Sequence, residues 1–188
     1  MRKLLIWAGL PILILAASAA GFYLHKSSSQ SSHPAITAGD QDQFVQPALT
    51  GQMRPYFSLP DINGKLRNVS EWDGRVIALN LWATWCPPCV REIPEFMALQ
   101  DKYAKQGLQF VGIALQNADD VTAFVRKQRI NYPVLVGGTN VFDLADRLGD
   151  VTGTLPYTVI IDRHNKIRFI KNGLLGGEQA EQIIKSLL

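Results

Sequence analysis

Cysteine is nearly absent from this 188-residue chain: Cys86 and Cys89 are the only two. None stands near the N-terminus, which excludes a lipoprotein anchor there. Histidine is also scarce, with three in all and only His164 inside the region read below as folded. A Cys-x-x-Cys half-site for zinc therefore lacks the partners for a tetrahedral ligand set. Internal repeats are absent. So is any excess of charge beyond the N-terminal flank: Arg2, Lys3 and Lys26 account for the whole net charge of +3. Capture of nucleic acid or another anionic polymer is not supported. With 47% hydrophobic and 19% charged residues, the chain is neither disordered throughout nor a many-span membrane protein. Its length suits one compact domain plus extras.

Long apolar runs are missing too, except at the start. Met1-Arg2-Lys3 precedes an uncharged, mostly apolar stretch from Leu4 to Leu24 that closes on His25-Lys26. As a helix this stretch would extend about 30 Å, the thickness of a bilayer's hydrocarbon core. Basic residues on its N-terminal side place the remainder of the chain across the membrane. Ala17-Ser18-Ala19 has the small-x-small form of a signal-peptidase site, so residues 1–25 read as an anchor or a cleaved signal segment. The length favours a single-pass anchor in the cytoplasmic membrane, with the domain on its periplasmic side. Residues 26–52 are rich in Ser, Gln, Thr, Ala and Gly and read as a flexible linker, leaving 53–188 as the folded domain.

Within that domain, Tyr56–Leu59 and Lys65–Arg67 flank Asp61-Ile62-Asn63-Gly64, a turn signal that predicts an N-terminal β-hairpin. Arg75–Trp82 and Leu108–Leu115 read as buried strands, and Pro133–Leu135 as a short one. Helices are expected over Pro87–Ala104, Ala118–Gln128 and Val141–Leu148, the last ended by Gly149. Tyr157–Ile161 and Lys166–Lys171 read as an antiparallel pair, and the C-terminal helix starts near Glu178. Strands alternating with helices, then a closing hairpin and helix, predict an α/β three-layer domain.

The chemistry is concentrated in Trp85-Cys86-Pro87-Pro88-Cys89, where a buried strand gives way to a helix. A Cys-x-x-Cys pair at that junction reads as a redox couple. Cys86 at the helix N-cap meets the positive end of the macrodipole, which favours its thiolate, and Cys89 lies one turn on, in range of a mixed disulfide. A purely structural disulfide closing so short a loop would constrain the unfolded chain little. Haem attachment needs a His after the second cysteine, where Val90 stands.

The stretch from Asn80 to Pro94, NLWATWCPPCVREIP, resembles the active-site segment of the TlpA/ResA-like branch of exported thioredoxin-like proteins. Phe57–Lys65 resembles that branch's N-terminal hairpin, and Gly153–Asp162 its cis-proline strand. The resemblance implies a thioredoxin-like three-layer α/β/α fold with a central mixed sheet. It implies that Cys86 is the exposed nucleophile, Cys89 the resolving thiol and Pro156 a cis-proline facing them. Trp85, Pro87, Leu155 and Pro156 would contact substrate, with the Leu155 backbone pairing to an extended client. No metal or other cofactor is implied. The partners implied are exported proteins with disulfides or dithiols, cytochrome c maturation being one such setting, and an upstream membrane electron donor.

Glu92, three residues past Cys89, would share its helix face. The resemblance makes it the acceptor of the Cys89 proton; an ordinary solvated helix carboxylate is the alternative. Glu95, four residues after Arg91, reads as a solvated ion-pair partner. Six residues before Cys86, where thioredoxin has a buried acid, stands Asn80, and an amide cannot relay a proton as a carboxylate does. Two prolines at the helix start remove two N–H donors from the Cys86 thiolate, which points to an electron donor. The other readings are a peroxiredoxin, whose Thr would be expected one position earlier than Thr84, and a redox-regulated chaperone that binds clients.

Overall fold

The computed structural model describes residues 48–188. The anchor or signal segment at 1–25, and the linker as far as Pro47, lie outside the described residues. No helix among the described residues is long and apolar enough to cross a membrane. The described chain opens in a turn at 48–51. There the Gly51 N–H donates to the Ile167 carbonyl at 2.7 Å, and the Ile167 N–H returns a bond to Gln52 at 2.9 Å. Backbone ahead of Met53 is thus already tied to the domain.

The hairpin forms where its turn residues place it, as β1 (Ser58–Pro60) and β2 (Leu66–Asn68), paired antiparallel. Asp61 Oδ1 accepts from the Asn63 and Lys65 amides, and Gly64 takes a left-handed φ of +78° that a side chain would resist. A 3-10 turn over Val69–Trp72 follows, which the sequence reading did not include. Its cause is a reciprocal cap: Asn68 accepts from Ser70, and Glu71 accepts from the Asn68 N–H at 2.8 Å.

Five further strands, β3 (Val76–Trp82), β4 (Leu108–Ala114), β5 (Val134–Val136), β6 (Tyr157–Ile161) and β7 (Ile167–Asn172), form one sheet in the order β5-β4-β3-β6-β7. Parallel pairing joins β5, β4 and β3, and antiparallel pairing joins β3, β6 and β7, so the sheet is mixed. The helices are α1 (Pro87–Tyr103), α2 (Ala118–Gln128), α3 (Asn140–Arg147) and α4 (Gly177–Leu187). Expected and observed boundaries differ by a residue or so at most ends, where fraying and cap geometry decide.

Strand alternation sorts the core into two layers. Val76, Ala78 and Trp82 of β3 pack with Phe96 of α1, Val121 of α2 and Ile184 of α4. Ile77, Leu79 and Leu81 pack with Phe57 and Leu59 of the hairpin side and Val141 and Leu144 of α3. The result is the thioredoxin-like α/β/α arrangement with an added N-terminal hairpin.

Candidate active site

Every residue of β3 is buried, as a central strand covered on both faces must be. The chain leaves it at Trp82 and turns into α1 through Cys86, the N-cap, whose φ of −93° and ψ of 104° are extended rather than helical. Pro87 and Pro88 occupy the first helical positions, where a missing N–H forfeits no intrahelical bond. The Cys89 amide donates to Cys86 Sγ at 3.3 Å, and Val90 N donates to the Cys86 carbonyl at 3.1 Å. Ahead of the motif, the Thr84 N–H donates to Gln116 Oε1 at 2.7 Å and steadies the turn. Cys86 and Cys89 are joined as a disulfide, their Cα atoms 5.3 Å apart.

The exposure expected for Cys86 is slight: it keeps 4%, and Cys89 has none. Trp85 beside it is 67% exposed, and Pro87 is exposed as well. Pairing of Leu81 with Tyr157 brings the start of β6 alongside the end of β3, from which the motif departs. The Leu155–Pro156 peptide is cis. Pro156 is buried, and half-buried Leu155 packs against the cluster that contains both cysteines. The loop ahead of it is fixed by buried Asp150, whose Oδ1 accepts from Thr152 Oγ1 at 3.2 Å and the Thr154 N–H at 3.3 Å. Asp150 was not among the residues singled out from the sequence.

Glu92 is not a solvated helix carboxylate: it is 1% exposed. Its Oε1 accepts from Asn80 Nδ2 at 2.7 Å, and its Oε2 accepts from the Leu175 N–H at 3.1 Å. Burial, which disfavours the charged form, raises its pKa from 4.5 to about 7, although both hydrogen bonds pull the other way and Glu95 adds a small push upward. Asn80 Nδ2 also donates to buried Thr158 Oγ1 at 3.1 Å. The bonds from Asn80 and Leu175 to Glu92 are absent from the sequence reading, although Asn80, and Thr158 to which it also donates, are polar residues inside otherwise apolar strands and so carry a signal. The ion pair expected between Arg91 and Glu95 does not form; Glu95 Oε2 instead accepts from the Gly177 N–H at the start of α4. The α4 N-terminus presents unpaired donors, which hold a carboxylate better than an exposed guanidinium does. Among the described residues, no group of His, Cys, Asp or Glu is placed to hold a metal ion.

A cysteine pair joined as a disulfide at a helix start, a cis-proline at the neighbouring strand and a buried carboxyl group one turn away together suit the exchange of one disulfide for another. The chain's similarities agree. A family model described as "AhpC/TSA family" matches residues 50–170. The thiol–disulfide oxidoreductase ResA of Bacillus subtilis is 30% identical over 177 residues, covering 93% of this chain and 87% of that protein. ResA of Geobacillus thermodenitrificans is 29% identical over 140 residues, covering 73% and 77% respectively. Among solved structures, a thioredoxin-family thiol:disulfide interchange protein from Chlorobium tepidum aligns with a TM-score of 0.64 at 29% identity, covering 72% of this chain and 94% of that one. Site geometry, family model and relatives converge: the chain belongs to the AhpC/TSA family and is a ResA-like thiol–disulfide oxidoreductase.

Proposed function

We propose that this oxidoreductase works as a reductase of disulfides in exported proteins, tethered by residues 1–25 to the outer face of the cytoplasmic membrane and recharged by a membrane electron donor. In the reduced protein the Cys86 thiolate attacks a client disulfide, forming a Cys86–client mixed disulfide and releasing the first client thiolate. The Cys89 thiol gives its proton to the Glu92 carboxylate, and the resulting thiolate attacks Cys86 Sγ. That closes the Cys86–Cys89 disulfide and frees the second client thiolate, so two electrons pass from the dithiol to the client. The Leu155 backbone, presented beside the cysteines ahead of cis-Pro156, would pair with an extended client segment, and exposed Trp85 and Pro87 would border it.

The observation that carries this reading is the disulfide at the N-cap of α1, with Cys86, at 4% exposure, its less completely buried member. The direction of electron flow is supported by the two prolines: of the first helical amides, only Cys89 N reaches Cys86 Sγ. A thiolate with few donors is a poorer leaving group and belongs to a more reducing couple. A glutathione or dithiothreitol titration of the Cys86/Cys89 couple tests this. A potential near thioredoxin's, about −270 mV, is expected, and one near that of a strong periplasmic oxidant, about −120 mV, would overturn it. Peroxide consumption by the reduced protein as fast as its disulfide reduction would favour a peroxidase instead. Equal client binding by the wild type and the Cys86→Ser/Cys89→Ser double variant would favour a chaperone.

A further inference from the structure

The carboxylate of Glu92 is held from two sides by different kinds of donor. Leu175 offers a backbone N–H, which can never become an acceptor. Asn80 offers a side-chain amide, which carries a donor on one arm and an acceptor on the other. The second neighbour on that amide, Thr158 Oγ1, is a hydroxyl and can likewise donate or accept. The opposite arm, Asn80 Oδ1, is buried and has no hydrogen-bond partner among the described residues.

We propose that Asn80 is the positioning residue that lets Glu92 change charge without moving: its amide donates Nδ2–H to the carboxylate and turns over about Cβ–Cγ to accept, at Oδ1, from the carboxylic acid. The inference rests on the reading of Glu92 as acceptor of the Cys89 proton. When the proton arrives it must sit on one carboxylate oxygen. On Oε2 it would face the Leu175 N–H, donor against donor, and that bond would be lost. On Oε1 it faces Asn80, which can answer by rotating.

The orphaned arm is what leaves the amide free to turn. Were Oδ1 held by a backbone N–H, rotation would break that bond; as it stands, the turn breaks none at Oδ1, and the cost of carrying the amide N–H donors into that partnerless position must be offset by the bonds Oδ1 gains from the carboxylic acid and Thr158. Thr158 follows, accepting from Nδ2 in one state and donating to Oδ1 in the other. A buried Asp in place of Asn80 would set two carboxylates in contact, and an aliphatic residue would serve neither state. The titratable groups facing Glu92 are Glu95 and Cys89 on its own helix and Tyr132 ahead of β5. In the disulfide form the cysteines do not titrate, so the Glu92 proton can be followed alone.

The test is an NMR titration of the oxidised, isotope-labelled full-length protein from about pH 5 to 9, a window centred on the expected transition. Expected are a titrating Glu92 carboxyl carbon, Asn80 Nδ2 protons that shift with the same midpoint, and a Leu175 amide proton that keeps its hydrogen-bonded position. Loss of the Leu175 bond with stationary Asn80 signals would overturn the proposal, and so would a Glu92 carboxyl that does not titrate in that range. As a second readout, Asn80→Leu should move the midpoint of the pH–rate profile for mixed-disulfide resolution upward, by roughly threefold to tenfold in proton affinity, because the charged form loses the stronger bond. An equal loss of rate at every pH would mark Asn80 as merely structural. Glu92→Gln separates the two failures: if it keeps the wild-type pH profile, the proton-acceptor reading falls, while the NMR result still decides whether the amide turns.

Discussion

The two faces of the central sheet are built from the same strands, residue by alternate residue, yet only one carries chemistry. Toward α3 and the hairpin side, β3 sends Ile77, Leu79 and Leu81, joined by Val111, Ile113, Val159 and Ile161, and the one buried polar group of these strands there is the Tyr157 hydroxyl, which donates to the Leu148 carbonyl. Toward α1 and α4, the same strands place Asn80 and Thr158 among the apolar residues, beneath Glu92 and the cysteines. The buried carboxyl accepts from the Asn80 amide and the Leu175 N–H, and that amide also donates to Thr158 Oγ1, yet among the described residues Asn80 Oδ1 has no partner. One face is almost wholly hydrocarbon, and the other buries a carboxyl and a disulfide side by side on one helix.

The comparison can be broken most directly at the sulfur. Cys86→Ser should lower turnover by at least about a thousandfold in a protein-disulfide reduction assay, whereas Cys89→Ser should accumulate mixed disulfides visible on a non-reducing gel. A Cys86→Ser protein that still turned over would remove that residue from its role. On the apolar face, Leu79→Ala should cost about 2–5 kcal/mol in denaturant unfolding and leave the pH dependence of activity unchanged.

On the polar face stability itself should depend on pH. The native Glu92 pKa of about 7 lies above its unfolded 4.5, so the folded protein keeps a proton that the unfolded chain has lost. The stabilisation is complete below the lower value and falls by up to about 1.4 kcal/mol per pH unit as pH rises toward the upper one. Glu92→Gln should flatten that slope in unfolding curves taken at several pH values; an unchanged slope would mean the proton sits elsewhere. The smallest effect belongs to the rim: Trp85→Ala, at a side chain 67% exposed, should shift stability by less than about 0.5 kcal/mol. It should raise KM for protein clients while sparing small disulfides, and an equal loss on both would argue against a client-binding role.

Much of this is legible in the sequence, because it rests on local chemistry. Asn63-Gly64 dictates a turn through backbone preference, and the run Val76-Ile77-Ala78-Leu79 dictates a buried strand through its lack of polar residues. Cys-Pro-Pro-Cys declares a helix start as well as a redox pair. The fate of Glu92 was not legible in this way, since helical spacing gave only its face. Its burial depends on Asn80, twelve residues away, and on the Leu175 amide, 83 residues away. Glu95 is exposed, as expected, but its expected partner fails for the same reason: Arg91 is near in sequence, while the amide it meets belongs to Gly177.

Propensity, periodicity and a motif act over a few residues, so the strands, the helices and the two sulfurs with their spacing are encoded locally. That a side-chain amide and a distant backbone N–H close around one carboxyl group, with a hydroxyl behind the amide, follows from how remote segments pack. Whether a polar side chain is solvated or buried depends on which remote segments reach it, and chain order does not encode that distance.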